Sequence, residues 1–134
     1  MGKAQIESLT RVVNIKYENA DVYIGRGSPF GNPFTHLPLG KTQAQYQCAT
    51  RTESVILCEG WVFTQPGILA LIDTLRDKAL GCHCAPLLCH GSIYVRLVKT
   101  YDAMRELGIE PNWKTTDGIT LIRLHYDTIK KQGN

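Results

Sequence analysis

The ten residues GCHCAPLLCH, Gly81 to His90, hold three of the chain's five cysteines and two of its four histidines. Clustered thiols and imidazoles are the donor set of a tetrahedral zinc site, which makes Cys82, Cys84, Cys89 and His90 candidate metal ligands. The spacing C-x-C-x4-C-H is tighter than the C-x2-C of common zinc fingers, so geometry limits how many of the four reach one ion. Three protein ligands would leave an open position, as in a catalytic site. Other readings stay open. Cys89 and His90 are the candidate catalytic pair if Cys89 is a nucleophile, since a thiol at a helix start is activated by a nearby imidazole, that of His90 or of His83. Cys84 and Cys89 would also serve as a redox pair. Free cysteines are frequently no more than small buried hydrophobes.

A second stretch, GRGSPFGNPFTHLPLGK, packs four glycines and three prolines into seventeen residues and reads as a long ordered loop. Glycines let backbone N–H groups approach a ligand, so Gly25, Gly27 and Gly31, with Ser28, are candidate ligand-binding residues. Arg26 offers a fork of donors for a phosphate, carboxylate or guanine edge. Asn32 would read a base amide, and Phe30 or Phe34 would stack on a ring. The bland alternative is a rigid loop that covers a sheet edge, since Pro29 and Pro33 break any dinucleotide-binding pattern. His36 lies in the same loop and reads as solvated. Cys48 and Cys58 read as packing residues, His125 as surface, and Glu53 and Glu59 as charges on a solvated helix face.

Elements must hold these loops in place. RVVNIKY (11–17) and DVYIGRG (21–27) are β-branched and aromatic runs, expected as strands, and KALGCHC as a short buried one. Alternation along that strand would turn Cys82 and Cys84 to one face and His83 to the other. Thr50 and Glu53 form a capping box ahead of a helix reaching Gln65, weakened by Gly60. A second helix is expected from a Thr64 cap with a stripe of Ile68, Leu71, Ile72 and Leu75. A third follows His90, with Ile93, Leu97, Tyr101 and Met104 on one face and Gly108 as its stop. In the tail, Ile122, Tyr126 and Ile129 favour a fourth helix over a hairpin at Asp117-Gly118. The sum is a small α/β domain: a sheet of about three to five strands with three to four helices, core 11–108 and a C-terminal extension 109–134. If VYIGRG and ALGCHC are parallel neighbours, the two loops emerge at one sheet edge as one site.

At 134 residues the chain is one domain of ordinary size. Its 43% hydrophobic and 20% charged residues exclude a disordered tract, and a net charge of +3 falls short of a dedicated nucleic-acid binder. The start, MGKAQIESLT, is polar and no apolar run approaches the ~20 residues of a membrane span. A cytoplasmic location, no membrane partner and reduced thiols are the expectation.

Together, RVVNIKY, DVYIGRGSPFGNPF and GCHCAPLLCHGSIY make the chain similar to domain of unknown function family 4326, found in phages and bacteria. The similar segments run from about Arg11 to Tyr94. That family carries a G-C-W-C-x-P-x-x-C-H-G-D pattern; here His83 replaces the tryptophan and Ser92 the aspartate, removing a stacking surface and a carboxylate. The resemblance implies a connection to phage pathways that place 7-deazaguanine derivatives in DNA, where a small enzyme methylates the aminomethyl group with S-adenosylmethionine as donor. Three functions compete. One is an enzyme acting on a purine nucleotide or modified guanine. The second is a non-catalytic nucleotide-binding module with structural zinc, and the third a zinc-stabilised DNA-binding accessory protein. The oligomeric state stays open, a homodimer included.

Overall fold

The computed structural model of the chain describes residues 8–37, 39–40, 44–85 and 87–132. Pro38 and Lys41 of the first loop, Pro86 of the second and Gly133 of the tail lie outside them. Along the chain come β1 (Arg11–Asn14), β2 (Val22–Tyr23), β3 (Phe34–Thr35), β4 (Tyr46–Gln47), α1 (Arg51–Val62), α2 (Pro66–Leu69), a 3₁₀ turn (Ile72–Leu75), β5 (Ala79–Cys82), α3 (Gly91–Glu106) and α4 (Thr116–Lys131). This is the expected α/β fold, with three strands in its main sheet.

The sheet order is β1-β5-β2, and both outer strands run parallel to β5, with Val13 and Tyr23 both opposite Gly81. As the central strand, β5 is buried along its whole length, which is why ALGC is continuously apolar. The outer strands are shorter than their apolar runs. At Asn14 the carbonyl accepts the N–H groups of Tyr17 and Glu18, each at 3.0 Å, and the side chain accepts Lys16 N–H at 2.9 Å. That turn ends β1 three residues before Tyr17. The link to β2 then crosses β5 closely: a Cβ at Gly81 would lie 2.5 Å from both Ala20 and Ile15 side-chain atoms, so only glycine fits. Asp21 closes the crossing by taking the Ala79 N–H on its carboxylate at 2.8 Å. β3 lies inside the loop where proline and glycine content predicted no regular structure, and it pairs in parallel with β4 beyond that loop.

Thr50 caps α1 by accepting Glu53 N–H at 3.0 Å, and Glu53 reaches back to Ala49 N–H at 2.7 Å. Gly60 leaves α1 unbroken. Thr64 does not cap the next helix: its hydroxyl donates to Trp61 O at 2.6 Å, finishing α1, and Gln65 takes the cap position without a side-chain bond. The expected long second helix is split. Leu71 N–H bonds Ile68 O and Thr74 N–H bonds Leu71 O, a tighter three-residue winding that turns Leu71 outward while Ile68, Ile72 and Leu75 stay buried. Ile93, Leu97, Tyr101 and Met104 are buried as their spacing predicted, and Gly108 closes α3 at φ +80°. Thr115 accepts Gly118 N–H at 3.0 Å, so Asp117-Gly118 opens α4 and makes no hairpin. Ile122 and Tyr126 bring α4 into the core against α3. Among the described residues no helix is long and apolar enough to cross a membrane.

Candidate metal centre and its cavity

β5 delivers Cys82, fully buried, to the carboxyl end of the sheet. The strand stops there, so Cys84 returns to the same side through a bend and not through the alternation expected of a longer strand. Leu87 N–H bonds Cys84 O at 2.8 Å and turns the chain towards Cys89, which sits just ahead of α3. All three thiols are free, and their sulfurs lie within 4.8 Å of one another. A tetrahedral zinc with Zn–S bonds of about 2.3 Å spaces its sulfurs about 3.8 Å apart. The 3.1 Å from Cys89 Sγ to Cys82 Sγ and the 4.8 Å limit bracket that value, so the donor set fits such an ion.

Charge within the triad is unevenly placed. Cys82 accepts hydrogen bonds from the Cys84 and Cys89 thiols, which hold its thiol pKa well below the ordinary value against the cost of burial. Cys84 is pushed up by its bond with Cys82, and Cys89 is pushed far up by Cys82, Cys84 and burial. The helix start was expected to favour thiolate at Cys89. Gly91 N–H does reach Cys89 Sγ at 3.4 Å, but the neighbouring thiols outweigh it and push the Cys89 thiol up instead of down.

His90 is 6% exposed, and burial keeps its pKa below the ordinary value and its ring neutral. Its Nε2 lies 2.8 Å from Ile24 O; a carbonyl only accepts, so Nε2 carries the proton. Nδ1 is left bare at 3.6 Å from Cys89 Sγ. An imidazole pinned through one nitrogen to a carbonyl is the usual posture of a metal-bound histidine. Among the described residues the close group is the three sulfurs, with His90 beside it.

The parallel pairing of β2 with β5 brings both loops out at one edge, and they line one open cavity of about 210 Å³. Tyr23, Gly25, Arg26 and Asn32 line it from the first loop, and Cys82 to Cys84 and Leu88 to His90 from the second. The Tyr23 hydroxyl and His83 Nε2 meet at 3.3 Å across the gap.

Several loop residues are used differently from the sequence reading. Arg26 spans its own loop, with Nε donating to Asn32 O at 3.1 Å and Nη2 to Phe34 O at 2.7 Å. Asn32 is buried and its amide is engaged within the fold: Nδ2 donates to Ser54 Oγ at 2.8 Å and Oδ1 accepts Phe34 N–H at 2.8 Å. It ties the loop to α1 in place of reading a base. Phe30 is a core residue, 5% exposed, with its ring edge-on to Tyr94 and its carbonyl accepting the Tyr94 hydroxyl at 2.9 Å. Phe34 is half-buried, 5.3 Å from the Tyr46 ring. Ser28 Oγ donates to Gly25 O at 2.7 Å, Gly27 takes φ +97°, and Gly31 N–H bonds Ser28 O, so the turn is self-bonded. His36 is half-buried in the wall of the open cavity, so it is less exposed than a free loop histidine. Cys58 is fully buried, as expected, and its thiol is pushed up to about 12, chiefly by burial.

The cavity also takes Arg51, Thr35, Ser54 and Val55, which the sequence reading passed over. Arg51 left one sign: a cation placed directly after the Thr50 cap stands at the end of a helix that disfavours it.

No curated protein and no solved structure matches the chain. Residues 8–100 match the family described as Domain of unknown function (DUF4326), a span that takes in both loops, the three thiols and the first part of α3, and the chain belongs to that family.

Proposed function

We propose that the chain is a metal-dependent enzyme that holds a purine nucleotide or modified guanine beside a zinc centre formed by Cys82, Cys84 and Cys89. The observation that carries this reading is the approach of three sulfurs to within 4.8 Å on the wall of the cavity that the glycine loop also lines. Zinc bound there by three thiolates would supply a Lewis acid with one coordination position left for a ligand or water. The chain's own part is to bring the sulfurs of Cys82, Cys84 and Cys89 together and to keep His90 neutral beside them. Methyl transfer from S-adenosylmethionine to a modified guanine is the most specific form of the proposal, and it comes from the family resemblance. A cytoplasmic setting, where thiols stay reduced, suits it.

Elemental analysis should find about one zinc per chain as purified, with Cys82→Ser and Cys84→Ser both losing it. A thermal-shift panel of nucleotides, S-adenosylmethionine and deazapurines then identifies the ligand class. Metal-free protein of undiminished melting temperature would rule out the centre, and a silent panel would rule out the pocket.

A second reading rests on His90 Nδ1, 3.6 Å from Cys89 Sγ. If it closes the coordination shell, the zinc is structural and the chain is a non-catalytic nucleotide-binding module. His90→Ala decides between them: a loss of zinc affinity supports the closed shell, and unchanged affinity the open one. A role as DNA-binding accessory protein would instead show as an affinity that falls steeply with salt.

A further inference from the structure

We infer that the cavity recognises an oxyanion, a carboxylate or phosphate oxygen group, and that Arg51 is its anchor. This rests on the pocket proposed above and adds the charge class of its ligand. Among the described residues the charged side chains lining the cavity are Arg26 and Arg51, accompanied by His36, His83 and His90, and no described aspartate or glutamate lines it. Arg26 is already engaged with two carbonyls of its own loop. Arg51 is half-buried; among the described residues its side chain makes no hydrogen bond or salt bridge, and its electrostatic neighbour is Cys84 of the thiol cluster, whose ionised form it favours. The two carboxylates of α1 are occupied elsewhere. Glu53 accepts Ala49 N–H, and Glu59 accepts Lys130 Nζ at 2.7 Å and the Tyr126 hydroxyl at 2.7 Å.

Arg51 is also the first residue of α1, where the helix dipole is positive and a cation is disfavoured. A partly desolvated guanidinium in that place is stabilised by an anion arriving from the cavity. The thiols do not supply enough negative charge to account for it. Three thiolates around a divalent zinc would leave one net negative charge, whereas the described cavity wall carries two arginines. One positive charge remains for the ligand. A guanidinium fork matches the paired oxygens of a carboxylate or phosphate, so either chemistry satisfies it.

The test uses the zinc-loaded full chain, titrated with inorganic phosphate and with acetate at matched ionic strength in chloride, then with guanosine and guanosine 5′-monophosphate. Wild type should bind at least one of the two simple oxyanions, and phosphate against acetate tells which source the ligand's group resembles. Arg51→Gln should keep its zinc and melting temperature but weaken oxyanion binding by about ten- to a hundredfold. Arg51→Lys should recover part of the loss, since it restores the charge without the fork. Binding of guanosine with no response to phosphate, acetate or the 5′-monophosphate would overturn the inference while leaving the pocket intact. Loss of zinc from Arg51→Gln would overturn it too, by making Arg51 a countercharge of the metal centre. Silence from all four probes would remove the pocket and this inference together.

Discussion

One turn into α3, Arg96 approaches Glu59 of α1 at 3.5 Å and donates to the Tyr126 hydroxyl at 2.7 Å. Just ahead of the same helix, Cys89 and His90 face Cys82 and Cys84. Both clusters are buried and polar, and their charge is settled in opposite ways. Glu59, 8% exposed, collects the Tyr126 hydroxyl, Lys130 Nζ and Arg96, so a carboxylate meets two cations and a phenol. Burial alone would raise its pKa, but the bonds from Lys130 and Tyr126 outweigh it and hold the carboxyl below the ordinary value. At the thiols, like groups converge, and ionising one pushes its neighbours up. Opposite charges close a cluster and make it a fastener between α1, α3 and α4. Like donors need a cation from outside to ionise together, and that requirement distinguishes a site from a fastener.

The sharpest way to break this comparison is to empty the closed cluster. Glu59→Ala removes the carboxylate that Arg96, Lys130 and the Tyr126 hydroxyl share, and removing one partner of such a largely buried set costs about 3 kcal/mol. For a chain of this length that is a fall in melting temperature of about 10 °C. The loss should be the same with zinc or with chelator. Glu59→Gln should also change the acid response. A carboxylate whose folded pKa lies below its ordinary 4.5 adds stability above that pH and loses it as pH falls through the folded value. Asp73, held down by Arg105, and the exposed Glu110 share that acid limb, so the substitution should flatten it only in part. An acid limb identical to wild type would show that Glu59 is not the fastener its partners imply.

Chelation is the counterpart for the open cluster, with a somewhat smaller effect. A metal held at a hundred times its dissociation constant stabilises by about 2.7 kcal/mol. Chelator should therefore lower the melting temperature of wild type and of Glu59→Ala by similar amounts, and leave Cys82→Ser unmoved. If Glu59→Ala abolished the chelator effect, the two clusters would be one cooperative unit and the contrast would fail.

The same division explains what the sequence made legible. Periodic faces were readable: Ile93, Leu97, Tyr101 and Met104 follow helical spacing and are all buried. The parallel neighbourhood of the two loops followed from their leading strands, and Cys82, Cys84 and Cys89 announced themselves by density. What stayed hidden depends on partners far along the chain. Glu59 looked like a surface charge because Lys130 lies seventy-one positions away. Asn32 looked like a ligand reader because nothing local shows that Ser54 will bond it, and Phe30 looked like a stacking surface because Tyr94 is sixty-four positions on. Side-chain type states what a residue is capable of, and only the fold states which capability is already in use.

The smallest expected effect concerns α1, which carries Arg51 at its cavity end and Glu59 towards the other. One residue beyond Glu59, in the last turn of α1, Gly60 has ordinary helical backbone, and a Cβ there would meet nothing within 4 Å. Glycine in a helix interior costs about 1 kcal/mol relative to alanine, because the unfolded chain has more freedom to lose. Gly60→Ala should therefore raise the melting temperature by about 2–4 °C. The gain belongs to the helix and to neither cluster. Zinc stoichiometry, the chelator effect and the acid limb should all stay at their wild-type values. A lower melting temperature would mean that the surface at Gly60 is packed against a neighbour. A gain accompanied by altered zinc affinity would mean that α1 transmits strain from the fastener to the site, and the two regions would then have to be treated as one.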